Sequence, residues 1–187
     1  MNSDTIKACI AAYWRYQRQC PMVAFESSSR LDWGWGEQAD VLAVNKERCL
    51  IETEVKVSLS DLRKDKNKPR HRFFRDGGGP YPTAYFYFAV PKEIANQVTL
   101  LCDGLYPYAG VLGCPNGTDE TAVEIYRNPK RLKGGKLSFK QILYMTRSQT
   151  ATLCRLARKV EEQGRVINNY CCQVGQKSPE NVSNKLI

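Results

Sequence analysis

Glu52, Glu54 and Lys56 alternate with Ile51, Thr53, Val55 and Val57 in one short run. In an extended strand successive side chains point to opposite faces, so the three charged groups share one face. Charged groups on a strand that otherwise reads as buried are costly unless they are paired or bind a metal. Asp40 lies at the start of the preceding apolar run, residues 39–44, and the polar Asn45-Lys46-Glu47-Arg48 between the runs has the length of a hairpin loop. The hairpin brings Asp40 beside Glu54. Two carboxylates with an ammonium group beside them suit a hard divalent cation and an anionic substrate, and Mg²⁺, which keeps several of its waters, needs only one or two carboxylates. Such an ion lowers the pKa of a bound water and neutralises charge during phosphodiester cleavage. A lysine at position 56 orients that water or stabilises the developing charge. Asp40, Glu54 and Lys56 are therefore the expected catalytic set, with Asp40 and Glu54 as ligands of Mg²⁺, for which Mn²⁺ can substitute. Glu52 shares their face and is a candidate for a second metal or for a pair with Lys56. Glu54-Val55-Lys56 is the one acid-x-Lys triplet in the chain, and the plainer alternative is a salt-bridged strand face turned to solvent.

The flanking charge fits a polyanionic partner. The formal net charge is +9, and it is clustered. Lys56, Arg63, Lys64, Lys66, Lys68, Arg70, Arg72 and Arg75 face only Asp61 and Asp65 in the first cluster; Arg127, Lys130, Arg131, Lys133, Lys136 and Lys140 form a second without an acid. Neutralising phosphates with such groups releases counterions, whereas a solvated basic surface is the alternative. Lys64, Lys66, Lys68, Arg70, His71, Arg72, Lys130, Arg131 and Lys133 are the expected nucleic-acid contacts. His71, the only histidine, reads equally as an ordinary surface residue. Asp61 and Asp65 read as cap and helix-surface residues. Trp33 and Trp35 could stack on bases or pack within their loop.

These residues need a sheet and helices to hold them. Ser3 can cap a helix through Ile6, Cys9, Ile10, Tyr13 and Trp14, which Cys20-Pro21 ends. Strands are expected over 22–25, 39–44, 49–57, 83–90, 109–114 and 122–126, and loops over 31–37 and 76–80. Ser58 or Ser60 caps a helix running to about residue 74, which Pro69 ends or kinks. Ser138 caps a helical region whose longest stretch is 149–166, with Leu153, Leu156, Ala157 and Val160 on one face. The expected organisation is a single domain over 1–170 and a polar, flexible tail over 171–187. The eight cysteines form no CxxC pair, and adjacent Cys171 and Cys172 are poor geometry for one metal, so free thiols in a reducing compartment are expected. With neither a signal peptide nor a membrane-spanning run, a soluble, cytoplasmic protein is the expectation.

The run from Gln38 to Pro91 resembles the PD-(D/E)XK nuclease superfamily, and within it the MmcB-like bacterial DNA-repair proteins. The likeness rests on Ala39-Asp40-Val41-Leu42-Ala43-Val44, on Glu52-Thr53-Glu54-Val55-Lys56-Val57-Ser58, on Ser60-Asp61-Leu62 and Asp65-Lys66-Asn67-Lys68, and on Tyr85-Phe86-Tyr87-Phe88-Ala89-Val90-Pro91. It extends weakly to Asn128-Pro129-Lys130-Arg131-Leu132, and Ala39 stands where much of the superfamily has proline. The resemblance implies an α/β, restriction-endonuclease-like fold, a mixed β-sheet flanked by helices on both faces. It makes Asp40 and Glu54 the acidic ligands and Lys56 the motif lysine. Some members add an acid from the first helix or strand, for which Glu26 is the candidate here. The implied function is a Mg²⁺-dependent endo- or exodeoxyribonuclease in DNA repair, restriction or mobile-element biology, with RNA not excluded. The alternative is a protein of the same fold that binds nucleic acid without cutting it; a scaffold with solubilising charge is a third reading.

Overall fold

Alternating or continuously apolar runs become six strands in the computed structural model, which describes residues 1–28, 38–77 and 80–175. β1 (Met22–Ser28), β2 (Gln38–Val44), β3 (Leu50–Val55), β4 (Thr83–Pro91), β5 (Gly110–Cys114) and β6 (Glu124–Arg127) lie side by side in sequence order. β1, β2 and β3 pair antiparallel, β3, β4 and β5 parallel, and β6 returns antiparallel. β4 is central and covered on both sides, as its unbroken apolar and aromatic sequence requires. The loop expected over 31–37, with Trp33 and Trp35, lies outside the described residues.

The helices are α1 (Ser3–Ala12, continued by a π-helical turn Tyr13–Gln17), α2 (Leu59–Asp65), α3 (Pro69–Asp76), α4 (Lys92–Leu105) and α5 (Phe139–Gly175). α1 covers one face of the sheet, burying Ile6, Ile10 and Trp14 on Val41, Ala43, Ile51, Val55 and Ala89. Leu62 of α2, Phe74 of α3 and Ala95, Val98 and Cys102 of α4 bury against Phe86, Phe88 and Val90 on the other face. Farther along that face, Met145 of α5 meets Leu42, Val44 and Leu50. The fold is thus α/β, a mixed sheet with helices on both faces. No helix among the described residues is long and apolar enough to cross a membrane.

Several local expectations change. The cap of α1 is Asn2, whose side chain accepts the Thr5 amide at 2.8 Å, rather than Ser3. The expected helix from Ser58 onward is two. Ser58 caps α2 by accepting the Asp61 amide, Pro69 starts α3 at its first turn, where a missing N–H costs nothing, and Gly77 ends α3 with φ +69. β3 stops at Val55, and α4 fills a stretch in which no element is expected from the sequence. The chain divides into two compact units, Met1–Gln149 and Thr150–Ile187. The sheet belongs to the first. In the second, α5 runs on to Gly175, into the expected tail, and Leu153, Leu156 and Val160 are exposed.

Candidate active site

The antiparallel ladder of β2 and β3 ends at Val41 opposite Thr53. One residue further the strands part, and the Asp40 carboxylate takes over from the backbone: its Oδ2 accepts the Val55 amide at 2.8 Å. Its Oδ1 lies 3.3 Å from Lys7 Nζ on α1, and the same ammonium is 3.0 Å from Glu26 of β1. Burial, then the nearby Glu54 carboxylate, raises the pKa of Asp40, with Val55 and Lys7 opposing. The Lys7 pKa is raised because Glu26 and Asp40 outweigh its desolvation.

Thr53 and Val55 face α1, where Thr53 accepts the buried Trp14 indole N–H at 3.0 Å. Glu52 and Glu54 therefore face the other side, under α3. Glu52 is fully buried, and both its oxygens are engaged: Oε1 accepts Arg70 Nη1 at 2.5 Å and Oε2 accepts the Thr83 hydroxyl at 2.8 Å. Burial raises its pKa against the pull of Arg70. Glu54 Oε1 accepts Lys56 Nζ at 3.1 Å and also Lys68 Nζ, while Oε2 is buried, 3.3 Å from Arg70 Nη1 and without a hydrogen bond among the described residues.

A polar chain continues behind Lys56. Its ammonium donates to Asp65 Oδ1 at 2.7 Å, as does that of Lys68. Asp65 Oδ2 is 2.6 Å from His71 Nε2, and His71 Nδ1 is 2.6 Å from the Tyr108 hydroxyl. Burial pushes Asp65 up, but hydrogen bonds from His71, Lys56 and Lys68 hold it far below the usual carboxylate range. Burial lowers the His71 pKa despite Asp65 and raises that of Tyr108 strongly. An ionised Asp65 only accepts, so His71 Nε2 carries the proton and Nδ1 accepts from Tyr108. Edge contacts with Phe74 and Phe86 fix the imidazole further.

The motif residues Asp40, Glu54 and Lys56 thus converge at the point where β2 and β3 part, and Glu26 joins them through Lys7. Three expectations are corrected. Arg70 and His71 are buried and spent on Glu52 and Asp65, so neither is a surface phosphate contact. Asp65 is buried under Lys56 rather than on a helix surface. Glu52 pairs with Arg70, not Lys56. Of the remaining expected contacts, Lys64, Lys66, Arg72, Lys130, Arg131 and Lys133 are exposed, and Lys68 is half-buried. Lys7 is a site residue that the sequence pattern does not single out, one charge among the apolar residues of α1.

Among the described residues no group of three or more histidine, cysteine or acidic side chains is arranged to hold a metal ion. The donor chemistry still suits one hard cation bound mainly by water. Asp40 and Glu54 supply two carboxylates, and the buried Glu54 Oε2 lacks a hydrogen bond. A solved structure of a protein of unknown function from Silicibacter pomeroyi is similar in fold, with a TM-score of 0.57, 14% identity and coverage of 88% of this chain and 94% of that chain. At that identity the likeness concerns the fold alone. No family model matches the chain, and no curated protein matches it.

Proposed function

We propose that this protein is a metal-dependent nuclease of the restriction-endonuclease-like type that hydrolyses DNA phosphodiester bonds at Asp40, Glu54 and Lys56. The observation that carries the reading is the meeting of Asp40 and Glu54 where β2 and β3 part, with Glu54 Oε2 buried and lacking a hydrogen bond. That oxygen has only the Arg70 guanidinium at 3.3 Å among the described residues, and a bound cation would offset the burial and the Glu54 repulsion that raise the Asp40 pKa. Asp40 and Glu54 would hold Mg²⁺ or Mn²⁺, which when bound supplies an acidified water and neutralises charge on the phosphate.

The chain's own residues do the rest. Lys56, fixed between Glu54 and Asp65, would hold its ammonium beside the Glu54 carboxylate to offset the negative charge that develops during phosphate cleavage. Asp65, itself anchored by His71 and Tyr108, is a positioning residue for that ammonium. Lys68, about a third exposed, can leave Glu54 for the substrate backbone. The exposed Lys64, Lys66 and Arg72 extend the positive surface toward DNA.

A second reading, a nucleic-acid-binding protein that does not cut, is favoured by one observation: each site carboxylate already has a basic partner. An assay on duplex, single-stranded and branched DNA with Mg²⁺, Mn²⁺ or EDTA separates the two. Metal-dependent cleavage that is lost in Lys56→Ala supports the nuclease. Binding to all three DNA forms without cleavage in either metal rejects it in favour of the second reading.

A further inference from the structure

On the sheet face opposite Glu52 and Glu54, beyond the end of α1, lies a cleft of about 340 Å³. Its floor is Ile51 of β3 with Tyr85 and Tyr87 of β4, and Trp14 closes one side. Alternation along β3 and β4 turns these residues away from the ion-pair network, so the cleft and the candidate active site share no side chain. Its size falls within the roughly 300–1,000 Å³ of ordinary ligand sites.

The lining has a specific chemistry. Tyr85 and Tyr87 are only partly buried, so aromatic surface is left for a flat partner, and Trp14 braces Tyr87 edge-on at 5.3 Å between centroids. Arg131 steadies Tyr85, donating to its hydroxyl at 3.1 Å with the guanidinium 5.6 Å from the ring centroid. The Arg18 side chain, at the rim, forms no hydrogen bond or ion pair among the described residues, and the Asn128 side chain likewise makes no hydrogen bond there. A cation without an anion, an amide with both edges open and two ring faces ask for a ligand that is aromatic, hydrogen-bonding and anionic. The exposed Lys130 and Arg131 nearby disfavour a cationic one.

We infer that this cleft binds one nucleotide unit of a single-stranded nucleic acid, its base against Tyr85 and Tyr87, its phosphate on Arg18 and its base edge read by Asn128. Asn128 and Pro129 line the cleft, and Arg131 of the second basic cluster touches it through Tyr85. It would serve a nuclease by holding a strand away from the catalytic face, yet it stands without cleavage.

The test is fluorescence anisotropy of a labelled six-nucleotide dT strand in EDTA at low salt, where no cleavage complicates the reading. Chemical-shift titration with dTMP runs beside it. Tyr85→Leu keeps the apolar bulk and should weaken binding about tenfold, the loss of one base–aromatic stack. Arg18→Ala should lower affinity and reduce the log–log salt slope by about 0.7, one phosphate contact on a single strand. Lys92→Ala, on α4 and paired with Glu124, should leave strand binding in EDTA within about twofold. If dTMP binds with the same dependence on Tyr85 and Arg18, a single nucleotide suffices; if only the strand does, neighbouring phosphates contribute; either result supports the cleft. Wild-type affinity in Arg18→Ala, or a loss in Lys92→Ala as large as in Arg18→Ala, overturns it, as does no binding of either probe. Arg18 is exposed, so its variant decides the question even where Tyr85→Leu fails to fold. A protein that cuts no DNA yet shows these losses fails the nuclease reading and keeps this one.

Discussion

Replacing Arg70 with methionine should cost this fold more than almost any other single change to a charged residue. Glu52 is fully buried and Arg70 is 1% exposed, so solvent cannot compensate for the loss. Arg70 Nη1 is 2.5 Å from Glu52 Oε1 and 3.3 Å from Glu54 Oε2, and its other terminal nitrogen donates to the Gln38 carbonyl at 3.4 Å. Removing it leaves Glu52 with the Thr83 hydroxyl alone and Glu54 Oε2 without its nearest cation. Stranding one partner of a buried pair costs about 3–5 kcal/mol, which for a chain of this length lowers the melting temperature by roughly 6–20 °C. The pH dependence has a definite sign. The Glu52 carboxyl is raised by burial, so it disfavours the fold progressively as pH rises. Without Arg70 that penalty grows, and the deficit of the variant should be larger at pH 8 than at pH 5. Glu52→Gln combined with Arg70→Met should recover part of the loss, since Glu52 then leaves no buried charge uncompensated. Urea denaturation followed by circular dichroism at both pH values measures all three proteins. A loss under about 1 kcal/mol in Arg70→Met, or a loss independent of pH, would refute the assignment of this pair as a buried structural brace.

Asp65→Asn should destabilise the protein at neutral pH. Because the Asp65 carboxyl is depressed in the fold, its contribution is fully present above the unfolded value of about 3.9 and lost as pH falls through the folded one. The difference from wild type in thermal melts should therefore be flat from pH 7 to 5 and shrink below about pH 4. Lys7→Met removes a cation that competes for Asp40 at 3.3 Å, so Mn²⁺ affinity by calorimetry should rise by roughly two- to fivefold, the worth of a partly exposed pair. Unchanged or weaker Mn²⁺ binding argues against Asp40 as a ligand. Duplex DNA affinity should fall with salt at about −0.9 in log–log slope for each phosphate neutralised, and Lys64→Ala with Lys66→Ala should flatten that slope by roughly 1–2.

The site's centre was legible in the sequence because strand geometry is strict. A period of two fixes which of residues 51–57 share a face, and a short polar loop fixes Asp40 beside Glu54. What failed was burial. Arg70, His71 and Asp65 sit in a run of charge, and a charge run ordinarily lies on a solvated face. Only the placement of α3 across β4, over Glu52 and Phe86, makes a core of them, and no local pattern encodes that contact. Lys7 was hidden for the same reason, being 33 positions from the carboxylate it meets. Helix α4 is not marked by the sequence although Ala95, Val98 and Cys102 keep the helical spacing, because its exposed Leu100 blurs the apolar stripe. The two helices from Ser58 to Asp76 were half legible: Pro69 announced a break but not whether the chain would kink or restart.

The central claim is that Asp40 and Glu54 together serve a cation that cuts DNA. Its most direct measurement compares wild type with Asp40→Ala for cleavage in Mn²⁺ and for DNA affinity in EDTA, with both proteins shown folded by circular dichroism. The variant's cleavage should fall to the EDTA background while DNA affinity is kept or strengthened, since a carboxylate near the phosphate path is gone. Cleavage that persists in Asp40→Ala would place the chemistry elsewhere and contradict the account.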